Sequence, residues 1–185
     1  MKTTIWIFYT LISFSLFSQT KSEIKKIQVD QLHCIGDSIY YTIKDNITFT
    51  GQIYSETLLV GSTINGKKEG VFYSYNFDGS VFMEEMYKNG KLNGLSKHYF
   101  QNGNIDTEAY FKDNQKDGVQ KMYREDGKIR DLWTFKNGVQ NGEFKLWYSN
   151  GALRFEGTKK NGFTFGKYRE YNEDGSLKHE ENIEL

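Results

Sequence analysis

The chain has 185 residues with 24 basic and 24 acidic side chains. That is long enough for one domain with a buried core, and the even balance excludes a general nucleic-acid binder, which would carry a basic excess. Its single cysteine, Cys34, cannot close an intramolecular disulfide, and proline is absent, while 18 glycines punctuate a chain holding 13 tyrosines and 14 phenylalanines; a proline-free, aromatic-rich composition suits antiparallel sheet.

Residues 1–20 read as an export signal. Lys2 gives a minimal positive start, Thr3 to Phe17 is an uncharged apolar run, and Ser18, Gln19 and Thr20 come after it. The run is shorter than the roughly 20 residues of a membrane-spanning helix. Cleavage near Ser18 or Thr20 is expected, with an uncleaved anchor as the alternative, and no cysteine follows closely enough for a lipid anchor. The expected location is periplasmic, cell-surface or secreted. In residues 21–44 the apolar positions Ile24, Ile27, Val29, Leu32 and Ile35 keep neither a helical nor a strand period; a strand is expected at Ser38 to Ile43, and the segment is expected to cap the array of residues 65–184. Residues 45–64 resemble a shortened repeat, entered at Phe49-Thr50-Gly51, with strand-like runs at Gln52 to Ser55 and Leu58 to Ser62.

Residues 65–184 are one 24-residue unit written five times (65–88, 89–112, 113–136, 137–160, 161–184). Each unit has Gly at its sixth position and an aromatic at its eleventh: Tyr75, Tyr99, Tyr123, Trp147 and Tyr171. An Asp or Asn then precedes Gly79, Gly103, Gly127, Gly151 and Gly175, and an aliphatic stands at the seventeenth position. Fixed-period self-similarity marks a repeat architecture. The expected fold is all-β: an elongated, single-layer antiparallel meander of about five β-hairpins.

Alternation in the second half of each unit assigns Ile105, Thr107, Ala109 and Phe111 to one inner face, and Asp106, Glu108 and Tyr110 to the other. The x-[Asp/Asn]-Gly phrase suits a three-residue loop, a type I turn ending on a left-handed Gly. That loop sets Tyr75 against Val81, Tyr99 against Ile105, Tyr123 against Ile129, Trp147 against Leu153 and Tyr171 against Leu177. The other connection, such as Lys88 to Gly94, reads as longer. Lys159 stands where the inner face expects an apolar residue, and looser packing is expected around it.

No catalytic constellation emerges. His33, His98 and His179 occupy unrelated registers, whereas a metal site needs several convergent ligands. Glycine-rich matches to phosphate loops arise from glycine recurring at turns. No metal, cofactor or small-molecule substrate is expected. Glutamates recur at position twenty (Glu84, Glu108, Glu156, Glu180) and lysines at position twenty-four (Lys88, Lys112, Lys136, Lys160); they are either a cation- or partner-binding array or a solvated face of mixed charge. The eleventh-position stripe is either core or, if uncovered, a patch for a partner or sugar rings.

The phrase Tyr87-Lys88-Asn89-Gly90-Lys91-Leu92-Asn93-Gly94, recurring at this spacing, resembles the bacterial variant of the MORN repeat. Asn114, where the other units carry Gly, and Gly157 depart from it. The resemblance implies an extended β-meander used for association, with protein scaffolding or membrane apposition as the activities of the class and a YwqK-type antitoxin label common among bacterial chains of this kind. The expectation is an exported, non-enzymatic protein presenting a sheet surface to a protein partner. Toxin neutralisation and attachment to a membrane or envelope surface are the alternatives.

Overall fold

Period-two alternation interrupted by short turns forces the chain to fold back on itself strand by strand. The structure, a computed structural model, describes residues 24–35 and 39–184. The expected export segment, residues 1–20, and Ser38 of the expected strand lie outside these residues.

Six short strands come first: β1 (Lys26–Gln28), β2 (Leu32–Ile35), β3 (Ile39–Thr42), β4 (Gly51–Ser55), β5 (Leu58–Ile64) and β6 (Lys67–Lys68). They form one sheet in the order β1-β4-β5-β6-β3-β2, with β1 parallel to β4. Ten more strands succeed them in strict chain order as one antiparallel meander. These are β7 (Gly70–Tyr75), β8 (Val81–Lys88), β9 (Lys91–Tyr99), β10 (Ile105–Lys112), β11 (Gln115–Tyr123), β12 (Ile129–Lys136), β13 (Val139–Trp147), β14 (Leu153–Lys160), β15 (Phe163–Tyr171) and β16 (Leu177–Ile183). At roughly 4.8 Å per strand the meander extends about 48 Å. The first unit is split at Glu69, whose flanks belong to different sheets: Lys67 and Lys68 pair with β5, while Gly70 opens the meander opposite Tyr87.

Burial is concentrated where the sheets meet. Leu32 of β2, Phe49 of the loop before β4 and Ile53 of β4 bury together with Phe72 of β7, and Gly61 admits the Phe72 ring so closely that a Cβ there would lie 2.6 Å from it. Ile53 and Phe72 each stabilise the fold by about 1.5–3 kcal/mol through burial. Along the rest of the meander, Ala109 and Phe144 are the buried apolar side chains among the described residues. The meander is therefore a single layer.

All five x-[Asp/Asn]-Gly turns close as three-residue loops. Phe100 N–H donates to Asn104 O at 2.8 Å and Gly103 N–H to Phe100 O at 2.9 Å, and the other four turns repeat both bonds. The five expected cross-strand pairs all form. A Cβ at any of these turn glycines would meet nothing within 4 Å, so only their positive φ, between 81° and 90°, demands glycine.

Two expectations fail. The connection read as long is a two-residue turn: Asn89 (φ 51°) and Gly90 (φ 80°) join the paired Lys88 and Lys91, and Gly94 lies inside β9, at a register shift opposite Met86. Two left-handed residues in succession match the twist of the flanking strands, and Asn114 (φ 71°) takes the second position where Gly is missing. The single inner face also breaks. Tyr99 pairs with Ile105 but His98 pairs with Thr107, leaving Asp106 as an extra residue. Such a bulge re-aims the residues on either side of it. Ile105 thus stays with Tyr99 on one face, while Thr107, Ala109 and Phe111 pass to the other. Phe82, Arg130, Arg154 and Lys178 are the matching extra residues in the other units, so Ile129 is likewise parted from Trp133 and Phe135.

Candidate interaction surface

The bulge builds two different faces. On the first, the eleventh-position aromatics and their aliphatic partners form a half-buried row, neither sealed core nor open patch, except at its last member, Leu177, which is exposed. Two residues nearer the strand centre runs a second row in which position nine (Lys97, Lys121, Lys145, Arg169) pairs with position twenty of the units before and within: Glu84 with Lys97, Lys97 with Glu108, Glu108 with Lys121, Lys145 with Glu156, Glu156 with Arg169, and Arg169 with Glu180. Leu132 interrupts the alternation between Lys121 and Lys145.

The two rows are bonded to each other. Tyr123 Oη donates to Glu108 Oε1 at 2.8 Å, and the same oxygen accepts from Lys121 Nζ at 3.0 Å. In the last unit Tyr171 Oη donates to Glu156 Oε1 at 2.8 Å, which also accepts from Arg169 at 2.9 Å. Tyr75 departs from this, donating to Leu59 O of the first sheet at 2.6 Å, and Trp147, with no hydroxyl, offers its main-chain O to Arg124 at 2.8 Å. Exposed ion pairs contribute about 0.2–1 kcal/mol each, so the ladder fixes register and charge pattern more than it adds stability.

The chemistry of these groups is set by their contacts. Burial raises Glu108, but the Lys121 and Tyr123 donors outweigh it and hold the carboxyl below its usual range. Arg169 chiefly, with Tyr171, does the same for Glu156. Burial and then Glu84 push Tyr99 up to about 12, and Tyr75 and Tyr123 are raised by burial first. A phenol raised in the folded state contributes stability that is intact below its unfolded value of about 10 and is lost as pH climbs through the folded value. The urea midpoint is therefore expected to hold from about pH 7 to 9 and to fall between about pH 10 and 12, in step with phenolate absorbance; Tyr99→Phe should flatten the fall.

The second face carries rings stacked on rings. Trp133 and Phe144 lie 5.3 Å apart at 13°, Phe144 and Tyr168 6.4 Å apart at 30°, and Phe155 and Tyr168 5.9 Å apart at 21°. Gly157 makes room, since a Cβ there would come within 2.8 Å of the Phe144 ring. Lys159 finds partners at this face, while Phe163 and Phe165 on the strand paired with it are exposed. The Lys159 Nζ lies 5.4 Å over the Phe144 ring and donates to Thr164 Oγ1 at 3.0 Å, satisfying the charge at the register where an apolar residue was expected.

The position-twenty glutamates and position-twenty-four lysines, grouped together by their recurrence, are separated in space. Lys88, Lys112, Lys136 and Lys160 end their strands beside the two-residue turns, while the glutamates pair with the basic residues of position nine, whose own recurrence in the sequence is the signal that points to the ladder. The histidines stay apart: His33 stacks on Tyr41 at 5.5 Å, His98 lies 5.9 Å from Phe82, and His179 sits 3.6 Å from Glu181. Among the described residues no three His, Cys, Asp or Glu side chains gather as metal ligands, and no helix is long and apolar enough to cross a membrane.

Four tandem stretches, residues 68–89, 92–113, 116–137 and 140–161, match the family model of the MORN repeat variant. Each begins at the fourth position of a 24-residue unit and covers its hairpin. A search of curated proteins finds no match to the chain.

Proposed function

We propose that this array of MORN-variant repeats is exported and works without catalysis, presenting its sheet to a protein partner. The observation that carries the reading is the single layer: the meander exposes two chemically distinct faces along about 48 Å and spends little of its apolar surface on its own core. MORN repeats suit protein or membrane interaction, and the ladder of interleaved Lys and Glu favours a protein surface over an anionic bilayer, since it offers no excess of positive charge.

The test is affinity capture from envelope extracts of the native cell with the chain from Lys21 onward. One protein retained saturably, and eluted by salt, is the expected result. Toxin neutralisation is a narrower form of the same reading, and it holds if the retained protein is toxic when expressed alone. Sedimentation with anionic vesicles in place of protein capture replaces the scaffold reading with envelope attachment. Export is checked by N-terminal sequencing of the protein from the periplasm or medium, with a start near residues 18–21 expected.

A further inference from the structure

The repeat is most informative where one unit breaks its own pattern. Position thirteen, at the tip of the three-residue turn, holds Gln101, Glu125, Ser149 and Glu173 in four units and Phe77 in the first. The bulge position holds Asp106, Arg130, Arg154 and Lys178 in four units and Phe82 in the first. Both departures exchange a polar residue for a phenyl ring. Both rings are left in solvent, Phe77 fully and Phe82 at 45 %. Single exposed aromatics are ordinary on protein surfaces, but these two border one open hollow of about 540 Å³, walled also by Tyr99 and Phe100 and flanked by Asp78 and Asp106. No basic side chain lines it. Ser80 donates to Asp78 from both its N–H (2.9 Å) and its hydroxyl (2.6 Å), fixing that carboxylate at the rim, and the His98 ring lies 5.9 Å from that of Phe82.

Resting on the reading of the array as a protein-binding module, we propose that this hollow is its specificity anchor, receiving an extended segment of the partner that carries an apolar side chain next to a lysine or arginine. The volume suits one or two side chains. Aromatic walls provide apolar contact and cation–π attraction, and the two carboxylates select a cation over an anion. Aromatic anchors in pockets are where interface energy concentrates. The remaining units, polar at both positions, supply the extended flanking contact.

The experiment pans a display library of random linear peptides on the whole chain from Lys21 onward and measures one enriched synthetic peptide by fluorescence anisotropy. Expected is a consensus of an aromatic or large aliphatic residue adjacent to Lys or Arg. Phe77→Ser with Phe82→Ser should weaken binding about tenfold or more, and Asp78→Asn with Asp106→Asn should weaken it severalfold and remove its salt dependence. Phe163→Ser with Phe165→Ser, exposed rings beside a two-residue turn, should leave it unchanged. The phenylalanines at the hollow are exposed, so an unchanged melting curve is required of their variant. The proposal is overturned if no consensus emerges, if the consensus is acidic, or if the Phe77/Phe82 variant binds as tightly as the parent. An envelope protein captured equally by parent and Phe77/Phe82 variant would also overturn it while leaving the scaffold reading intact; failure of both to capture any protein would sink the scaffold reading instead.

Discussion

Phe144→Ala is expected to lower the unfolding free energy by about 3–5 kcal/mol, the usual cost of truncating a buried phenylalanine, and to lower it unevenly along the chain. Phe144 is 5 % exposed, the most buried apolar side chain of the last three units. It touches both directions of the array, stacking on Trp133 of the preceding strand and Tyr168 two strands onward, with its ring over Gly157 and under the Lys159 ammonium. Removing it strips three neighbours of contact and leaves a charge without its aromatic partner. In an array where each unit is held by its neighbours, stability is close to a sum of unit and interface terms, so β13 to β16 should open before β7 to β10, whose end is pinned by the Leu32–Phe49–Ile53–Phe72 cluster. Amide exchange read strand by strand checks this. Equal acceleration in β8 and β15 would show one cooperative unit and contradict the neighbour-coupled picture; a loss under about 1 kcal/mol in urea would show that the ring stack is not what holds the last units.

Neighbour coupling of this kind also separates what was legible in the sequence from what was not. The unit length, strand count, loop type and five cross-strand pairs were legible because each is local: Asn102-Gly103 specifies its turn within a few residues, and the turn sets Tyr99 opposite Ile105. What period-two reasoning could not reach was which side of the sheet those pairs occupy. One extra residue, Asp106, reverses the side of everything after it, and neither its charge nor its neighbours announce a bulge. The grouping of Ile105 with Ala109 therefore failed while the pairing of Ile105 with Tyr99 held. The second turn departs from the expectation for a related reason. Gly94 looked like loop punctuation, yet it lies within β9, its φ of 125° serving an irregularity opposite Met86 rather than a turn. The anchoring hollow was hidden differently. Phe77 and Phe82 stood in the sequence as departures from the repeat, and only the fold brings them to one place beside Asp78 and Asp106.

The sixth-position glycine offers the sharpest test of that distinction, because one register meets two environments. At Gly142 (φ 124°) an added Cβ would lie 2.8 Å from both Cβ and Cγ2 of Thr134, a β-branched side chain with little room to yield, whereas at Gly166 (φ 69°) it would meet nothing within 4 Å. Gly166→Ala is then expected to cost about 1–2 kcal/mol, the backbone strain of a left-handed alanine. Gly142→Ala adds the clash to the larger strain of a φ of 124°, outside the left-handed helical well, for a total of about 2–4 kcal/mol. Gly151→Ala, at a three-residue turn with open space and φ 90°, should match Gly166→Ala. The three variants compared by urea midpoint separate the two causes. If Gly142→Ala loses no more than the others, close strand approach does not constrain the sixth position and backbone conformation alone accounts for its recurrence. If it loses more and Thr134→Gly restores most of the difference, the glycine is kept there by the neighbouring strand, and the repeat period is set by packing between units as much as by the turns within them.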